Sequence, residues 1–179
     1  MKICVLSGTP HKGGNTDRLL DAFLSGLAPG CSVDIYRAYD MSVAPCLGCG
    51  GCELAGECVH DDLAKLHNSL LESDVVVIAT PVYYLSFPAP LKAIIDRMQR
   101  YFCAQQKGVN PLSSRRRRMI LLAAAGAPSE RGEVMRAQLR WVLPPLNAEL
   151  AEIVVAADTD RVGVTQNAID KCRNIASRL

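Results

Sequence analysis

The run Val75-Val76-Val77-Ile78-Ala79 decides the fold. It is apolar at every position and β-branched at the first four, whereas a half-exposed strand would alternate polar and apolar side chains. A strand apolar on both faces belongs in the middle of a parallel sheet, with crossover helices covering each side. Working outward, four more strand-like runs appear: Ile3-Cys4-Val5-Leu6, Ser32 to Tyr36, Met119 to Ala123, and Ile153-Val154-Val155-Ala156. Between them lie stretches of helical period. Thr16 to Leu27 sets Leu19, Leu20, Phe23, Leu24 and Leu27 on one face, and Leu63, Leu66, Leu70 and Leu71 mark a helix ending near Ser73-Asp74. A third helix is expected from about Pro88, with Leu91, Ile94, Ile95 and Met98 inward. A fourth is expected from Glu130 to about Leu143, stopped by Pro144-Pro145, and a fifth from about Val164 to Ser177. Five strands alternating with five helices predict an α/β fold: a doubly wound, five-stranded parallel sheet in three layers. Right-handed crossovers at this length favour the strand order 2-1-3-4-5. No repeat, low-complexity tract or linker divides the chain, so residues 1–179 are expected to form a single domain carrying a cysteine-rich loop at 45–60.

The chain of 179 residues is long enough to bury a proper core. A formal net charge of +2 gives no reason to expect nucleic acid or a membrane surface as partner. Met1-Lys2 leads directly into the first strand-like run, unlike an export signal. No apolar stretch approaches the roughly 18 to 20 residues of a membrane helix, so a cytoplasmic address is expected. Eight cysteines then carry information. In a reducing compartment, clustered thiols are metal-binding or redox-active rather than a disulfide framework. Cys46, Cys49, Cys52 and Cys58 form such a cluster, while Cys4, Cys31, Cys103 and Cys172 read as ordinary small side chains.

Three loops at the predicted carboxyl edge of the sheet are unusual, the cysteine loop among them, and that edge is where such folds bind ligands. Strand one runs into Ser7-Gly8-Thr9-Pro10-His11-Lys12-Gly13-Gly14-Asn15-Thr16 and then a helix. Glycines, hydroxyls and a helix N-terminus together make an anion cradle. The spacing matches neither the Walker loop nor G-x-G-x-x-G, which disfavours ATP and a Rossmann-bound dinucleotide. After the central strand comes Thr80-Pro81-Val82-Tyr83-Tyr84-Leu85-Ser86-Phe87-Pro88-Ala89-Pro90. This stiff, aromatic stretch suits a flat amphipathic cofactor.

With Ser7-x-Thr9-Pro10-His11-x-x-Gly14-Asn15-Thr16, Cys46-x-Gly48-Cys49-x-x-Cys52, Asp61-Asp62, Thr80-Pro81-Val82-Tyr83 and Leu91-Lys92-x-x-x-Asp96-Arg97 in order, the chain resembles the NAD(P)H-dependent FMN reductase family. Within that flavodoxin-like family it is most similar to the iron–sulfur flavoproteins. The resemblance covers residues 2 to about 126. It implies that Ser7, Thr9, His11, Gly14, Asn15 and Thr16 hold the phosphate of FMN. Pro81, Val82, Tyr83 and Tyr84 would meet the ring, helped by Gly126 in the loop after strand four. It further implies that flavin N5 carries the chemistry, so that no side chain is catalytic. NAD(P)H or a ferredoxin-like protein would be the donor, and a homodimer or homotetramer the assembly. A non-catalytic electron-transfer protein of the same fold is the alternative. Two positions depart from the family pattern: His11 stands where an arginine is usual, and Ala124-Ala125-Gly126-Ala127 replaces a loop with paired glycines.

Cys46-x2-Cys49-x2-Cys52-x5-Cys58 is more compact than the paired C-x-x-C of most zinc sites, and resembles runs that hold iron–sulfur clusters. A [4Fe-4S] cluster is what the family resemblance implies; free thiols or a zinc ion remain open on the residues themselves. Elsewhere, Arg115-Arg116-Arg117-Arg118 reads as a solvated run ahead of strand four. His60-Asp61-Asp62 reads as acidic capping of the second helix. Asp96 and Arg97 read as ion-pairing or subunit-contact residues. Trp141, amid Leu139, Val142, Leu143 and Leu146, fits either core or an oligomer surface.

Overall fold

The computed structural model describes residues 1–128 and 131–179. Its sheet contains β1 (Lys2–Ser7), β2 (Ser32–Arg37), β3 (Val75–Pro81), β4 (Arg117–Ala124) and β5 (Ala148–Ala156). All are parallel, in the order β2-β1-β3-β4-β5. The helices are α1 (Asn15–Ser25), α2 (Gly51–Leu54), α3 (Ala64–Glu72), α4 (Ala89–Arg97), α5 (Gln99–Gln106), α6 (Arg131–Val142), α7 (Thr159–Val162) and α8 (Gln166–Ala176). Glu130, expected to begin the fourth helix, lies outside the described residues.

The two-residue period of β3 explains its unbroken apolar run. Val76 and Ile78 point to one face, where Leu66, Leu70, Leu91, Ile94, Tyr101 and Leu139 pack from α3 to α6. Val75, Val77 and Ala79 point to the other, beneath Leu19, Leu20 and Phe23 of α1 and Cys172 and Ile175 of α8. Both faces are dry, and each fully buried aliphatic side chain contributes about 1.5–3 kcal/mol. No helix among the described residues is long and apolar enough to cross a membrane.

The structure departs from expectation at three places. β5 begins at Ala148, ahead of the expected Ile153, although Ala-Glu-Leu-Ala-Glu favours helix. Pairing with β4 overrides that preference, and an irregularity between Met119 and Ile120 absorbs Ala151. A separate helix, α5, follows α4 directly. Trp141, for which core and surface were both open, is exposed, while Leu139, Val142 and Leu146 are buried.

The third departure is the arginine run, which is not uniformly solvated. Arg117 is fully buried at the start of β4. Its Nε donates to Leu70 O at 2.8 Å, and its Nη1 to Leu112 O at 2.8 Å, Arg115 O at 2.7 Å and Leu146 O at 3.2 Å. Its Nη2 donates to Leu71 O at 3.2 Å. The guanidinium thus satisfies carbonyls from the end of α3, the turn before β4 and the turn before β5. A buried cation is tolerable only when its donors are met in this way. Arg117→Lys keeps the charge but loses the fork; its urea midpoint is expected to fall by the equivalent of about 2–4 kcal/mol with an unchanged m-value.

His67 on α3 is buried, and its Nδ1 lies 2.8 Å from Tyr101 Oη on α5. Burial, followed by nearby Arg100 and Arg97, lowers its pKa from 6.5 to about 4. Between those values the unfolded chain takes a proton that the folded chain refuses. Stability is therefore expected to fall as pH drops from about 6.5 towards 4. His67→Gln should flatten that part of the profile of urea midpoint against pH.

Candidate functional site

The loop after β1 is shaped by close approach. Gly8 passes beneath α4, where an added Cβ would lie 2.6 Å from Leu91 Cδ2. Its N–H donates to Ala79 O at 2.8 Å, fixing the loop to the neighbouring strand. Gly13 takes φ +73 and donates its N–H to Asp17 Oδ2 at 3.0 Å. The other carboxylate oxygen of buried Asp17 accepts from Arg37 Nη1 at 2.9 Å. Gly14 is the N-cap of α1, and no side chain caps it. The first-turn N–H groups of Asn15, Thr16 and Asp17 therefore have no acceptor within the helix.

The loop after β3 is tied to β4 by Val82 N–H to Ala124 O at 2.8 Å. It then forms a tight turn in which Tyr83 and Ser86 exchange backbone bonds of 3.0 and 2.8 Å. Tyr84 and Leu85 at its tip have φ +47 and +60, a left-handed conformation uncommon for side chains of this size. Gln138 of α6 braces the turn, donating to Leu85 O at 2.5 Å and accepting from Ser86 Oγ at 3.0 Å. The loop after β4 is held by Ala125 N–H to Ala156 O at 2.8 Å and by Thr159 Oγ1 to Ala125 O at 3.1 Å.

These loops enclose a cleft of about 550 Å³. The first loop lines it with Thr9, His11, Gly14, Asn15 and Thr16, and the second with Pro81, Val82 and Tyr83. Gly126 lines it together with Ala124 and Ala127. Two other expected residues stand outside the lining. Ser7 is buried beneath the loop with its hydroxyl unpartnered, and Tyr84 projects fully exposed from the turn tip. Thr159 and Asp160 of α7 complete the wall, and sequence reading missed them. Their signal was position: they follow the carboxyl end of β5 on the ligand-binding edge. A Cβ on Gly126 would lie 2.3 Å from Asp160 Oδ2, so a larger residue there would push the exposed Asp160 carboxylate aside. The cleft thus joins an uncapped helix N-terminus and hydroxyls to a wall of Pro81, Val82 and Tyr83, and its volume suits a small-molecule cofactor.

A second hollow, of about 150 Å³, lies in the cysteine loop and is lined by Cys46, Cys49, Cys52 and Cys58. Both ends of the loop are tied to one residue. Buried Arg97 donates to Ala44 O at 2.9 Å, to His60 O at 3.0 Å and to Asp62 Oδ1 at 2.7 Å. Asp62 Oδ2 also accepts from Ala44 N–H at 2.8 Å. The Arg97 guanidinium holds the Asp62 carboxyl below the usual carboxylate range. These contacts correct one expectation, since Asp62 does not cap α3, whose N-cap is Leu63. Asp96 and Arg97 both pair with opposite charges, as one of their two readings had it: exposed Asp96 with Lys92 at 2.6 Å, and Arg97 with Asp62 as an internal clamp.

Gly48, Gly50 and Gly56, at φ +61, +74 and +78, let the backbone wrap around the hollow. His60 Nε2 and Arg97 Nε are buried without partners, on residues that line it. Among the described residues, no three His, Cys, Asp or Glu side chains converge on a single-ion position. Cys103 of α5, expected to be an ordinary side chain, also reaches the hollow.

Residues 1–160 match the family model of the NADPH-dependent FMN reductases. The chain belongs to this family. An iron–sulfur flavoprotein of Archaeoglobus fulgidus is 35% identical over 151 residues, which cover 82% of this chain and 66% of that protein. The chain spans about half the length of other iron–sulfur flavoproteins that it matches. An azoreductase from Bacillus anthracis str. Sterne superposes with a TM-score of 0.74 at 17% identity, covering 100% of both chains. An FMN-dependent NADH-azoreductase from Bacillus anthracis str. Ames Ancestor, solved in complex with FMN, has a TM-score of 0.67 at 18% identity and 99% coverage of both. At these identities the structural likeness shows the flavodoxin-like fold.

Removing the clamp tests the hollow's architecture. Arg97→Ala is expected to cost about 2–4 kcal/mol and to raise hydrogen exchange selectively across residues 44–62. Unchanged protection there would overturn the role given to Arg97.

Proposed function

We propose that this chain is an FMN-dependent oxidoreductase whose flavin sits in the cleft at the carboxyl edge of the sheet. The observation that carries the reading is the uncapped N-terminus of α1 opening on a cleft of about 550 Å³. Thr9, Asn15, Thr16 and the first-turn amides of α1 hold the phosphate, with Gly14 allowing the backbone to come close. His11 borders the same end of the cleft, where the family pattern has an arginine. The unpartnered hydroxyl of Ser7 supports an acceptor nearby. Pro81, Val82, Tyr83 and Gly126 border the ring, and Tyr84 stands at the rim. Bound FMN supplies two-electron acceptance and one-electron release. The chain's own residues bind, orient and shield it, and none needs to exchange a proton.

The donor is NAD(P)H or a ferredoxin-like protein, and the acceptor is a small molecule or a redox protein. The chain works as a single flavin-binding domain in the cytoplasm. The exposed turn Tyr83-Tyr84-Leu85 beside the cleft supports assembly as a homodimer or homotetramer. Cys46, Cys49, Cys52 and Cys58 hold a [4Fe-4S] cluster as the one-electron port. Each thiolate in such a cluster ligates its own iron, so the sulfurs need not gather on one point. The unpartnered His60 Nε2 and Arg97 Nε offer donors to an anionic sulfur centre.

Titrating the flavin-free protein with FMN should quench flavin fluorescence at one equivalent. Thr16→Val should weaken binding roughly 10-fold or more, as expected for losing a hydrogen bond to a charged group. NAD(P)H oxidation with an artificial acceptor supports the reductase, whereas flavin reduction by a protein donor alone supports an electron carrier. Failure to bind FMN overturns both. Anaerobically purified protein should carry about four irons and matching sulfide per chain.

A further inference from the structure

Cys103 has no packing role that explains it. It sits half-buried on α5, between Gln99-Arg100 and Gln105-Gln106, and its Sγ meets Gln99 Nε2 at 3.7 Å. Its Sγ also lies 3.8 Å from Cys52 Sγ on α2. The two elements are held together independently of sulfur, because Lys107 at the end of α5 donates to the Glu53 carbonyl of α2. By contrast, Cys4 and Cys172 are buried within the two cores.

We propose that Cys52 and Cys103 form a reversible disulfide that withdraws Cys52 from the cysteine loop. Disulfide sulfurs stand about 2.05 Å apart, so the pair must close by less than about 2 Å. α5 is anchored by buried Tyr101 and Ala104 and stays in place. α2 is one turn with no buried residue, and Gly50 and Gly56 at φ +74 and +78 flank it. It is the side that moves. Both thiols border an open hollow that a small oxidant can enter.

A peroxide is the oxidant. One thiolate attacks the O–O bond and becomes a sulfenic acid, releasing the first water; the second thiol displaces the sulfenic oxygen as another water and forms the S–S bond. Each sulfur gives up one electron, the peroxide takes two, and the two thiol protons leave in the waters. A dithiol reductant reverses the bridge by exchange.

The consequence rests on the cluster reading above, although the bridge itself does not. With Cys52 bridged, Cys46, Cys49 and Cys58 remain and the ligand set is incomplete. With Cys52 on iron, Cys103 is a spare fifth thiol. The bridged and cluster-bearing states exclude each other, so a reductant must act before the cluster is built.

The test begins with the reduced, metal-free full chain and one equivalent of hydrogen peroxide. Alkylation and peptide mass mapping should show two of the eight thiols lost and a Cys52–Cys103 linked peptide. If Cys103 remains fully alkylated while other cysteines pair, the proposal is overturned. Reconstitution with iron and sulfide should fail on the bridged protein and recover after dithiol treatment. Cys103→Ser should take up the same iron as the reduced parent chain, and Cys52→Ser should not. Loss of uptake in Cys103→Ser would make Cys103 a ligand and also overturn the proposal. If the reduced parent chain builds no cluster, the cluster reading fails, and the peptide map alone still decides the bridge.

Discussion

The hydrogen-bond ladder of the sheet does not stop where the strands end. Gly8 N–H to Ala79 O, Val82 N–H to Ala124 O and Ala125 N–H to Ala156 O, each 2.8 Å, carry it one step into the three loops that form the cleft. The loops are therefore staggered by the same register that holds the core. That register is fixed because β3 is apolar on both faces and lies between β1 and β4, with Val77 opposite Val5 and Ile120. Any slip would break those pairings and move the mouths of the loops relative to one another.

The loop after β1 also resolves an electrostatic conflict that the proposed phosphate site would pose. Asp17 stands in the first turn of α1, where a carboxylate stabilises the helix but opposes a bound anion. Its charge is committed elsewhere: one oxygen shapes the loop through Gly13, and the other faces Arg37 from the end of β2. The helix N-terminus stays uncapped on the side facing the cleft. The edge strand β2 thus contributes to the site without lining it.

What could be read from the sequence follows the range of the forces involved. The five strands, their order and most of the cleft were legible because hydrophobic period and loop chemistry are local. The first half of β5 was not, since Ala148 to Glu152 become a strand only by pairing with β4. Arg117 sat within a run of like charges, and nothing local distinguishes the one whose side chain turns inward to carbonyls from three other segments. Thr159, Asp160 and Cys103 joined their sites through tertiary contacts across the fold. Arg97 and Asp62 were legible as motif residues, but their clamp needed the positions of Ala44 and His60.

The helix α4 connects the two candidate sites. Leu91 near its start lies over Gly8 of the loop after β1, and Arg97 at its end grips both ends of the cysteine loop. Six residues of helix separate them, about 9 Å of rise. One rigid element therefore sets the spacing of cleft and hollow, because Leu91 and Ile94 are buried in the core. Inside the clamp the loop is different: Gly48, Gly50 and Gly56 adopt left-handed conformations, and α2 buries nothing. Rigidity at the ends and freedom within is the combination that the proposed exchange of sulfur partners requires if the cleft is to stay undisturbed. A loop packed like the core could not move Cys52, and a loop without the clamp would lose its distance from the cleft whenever it rearranged.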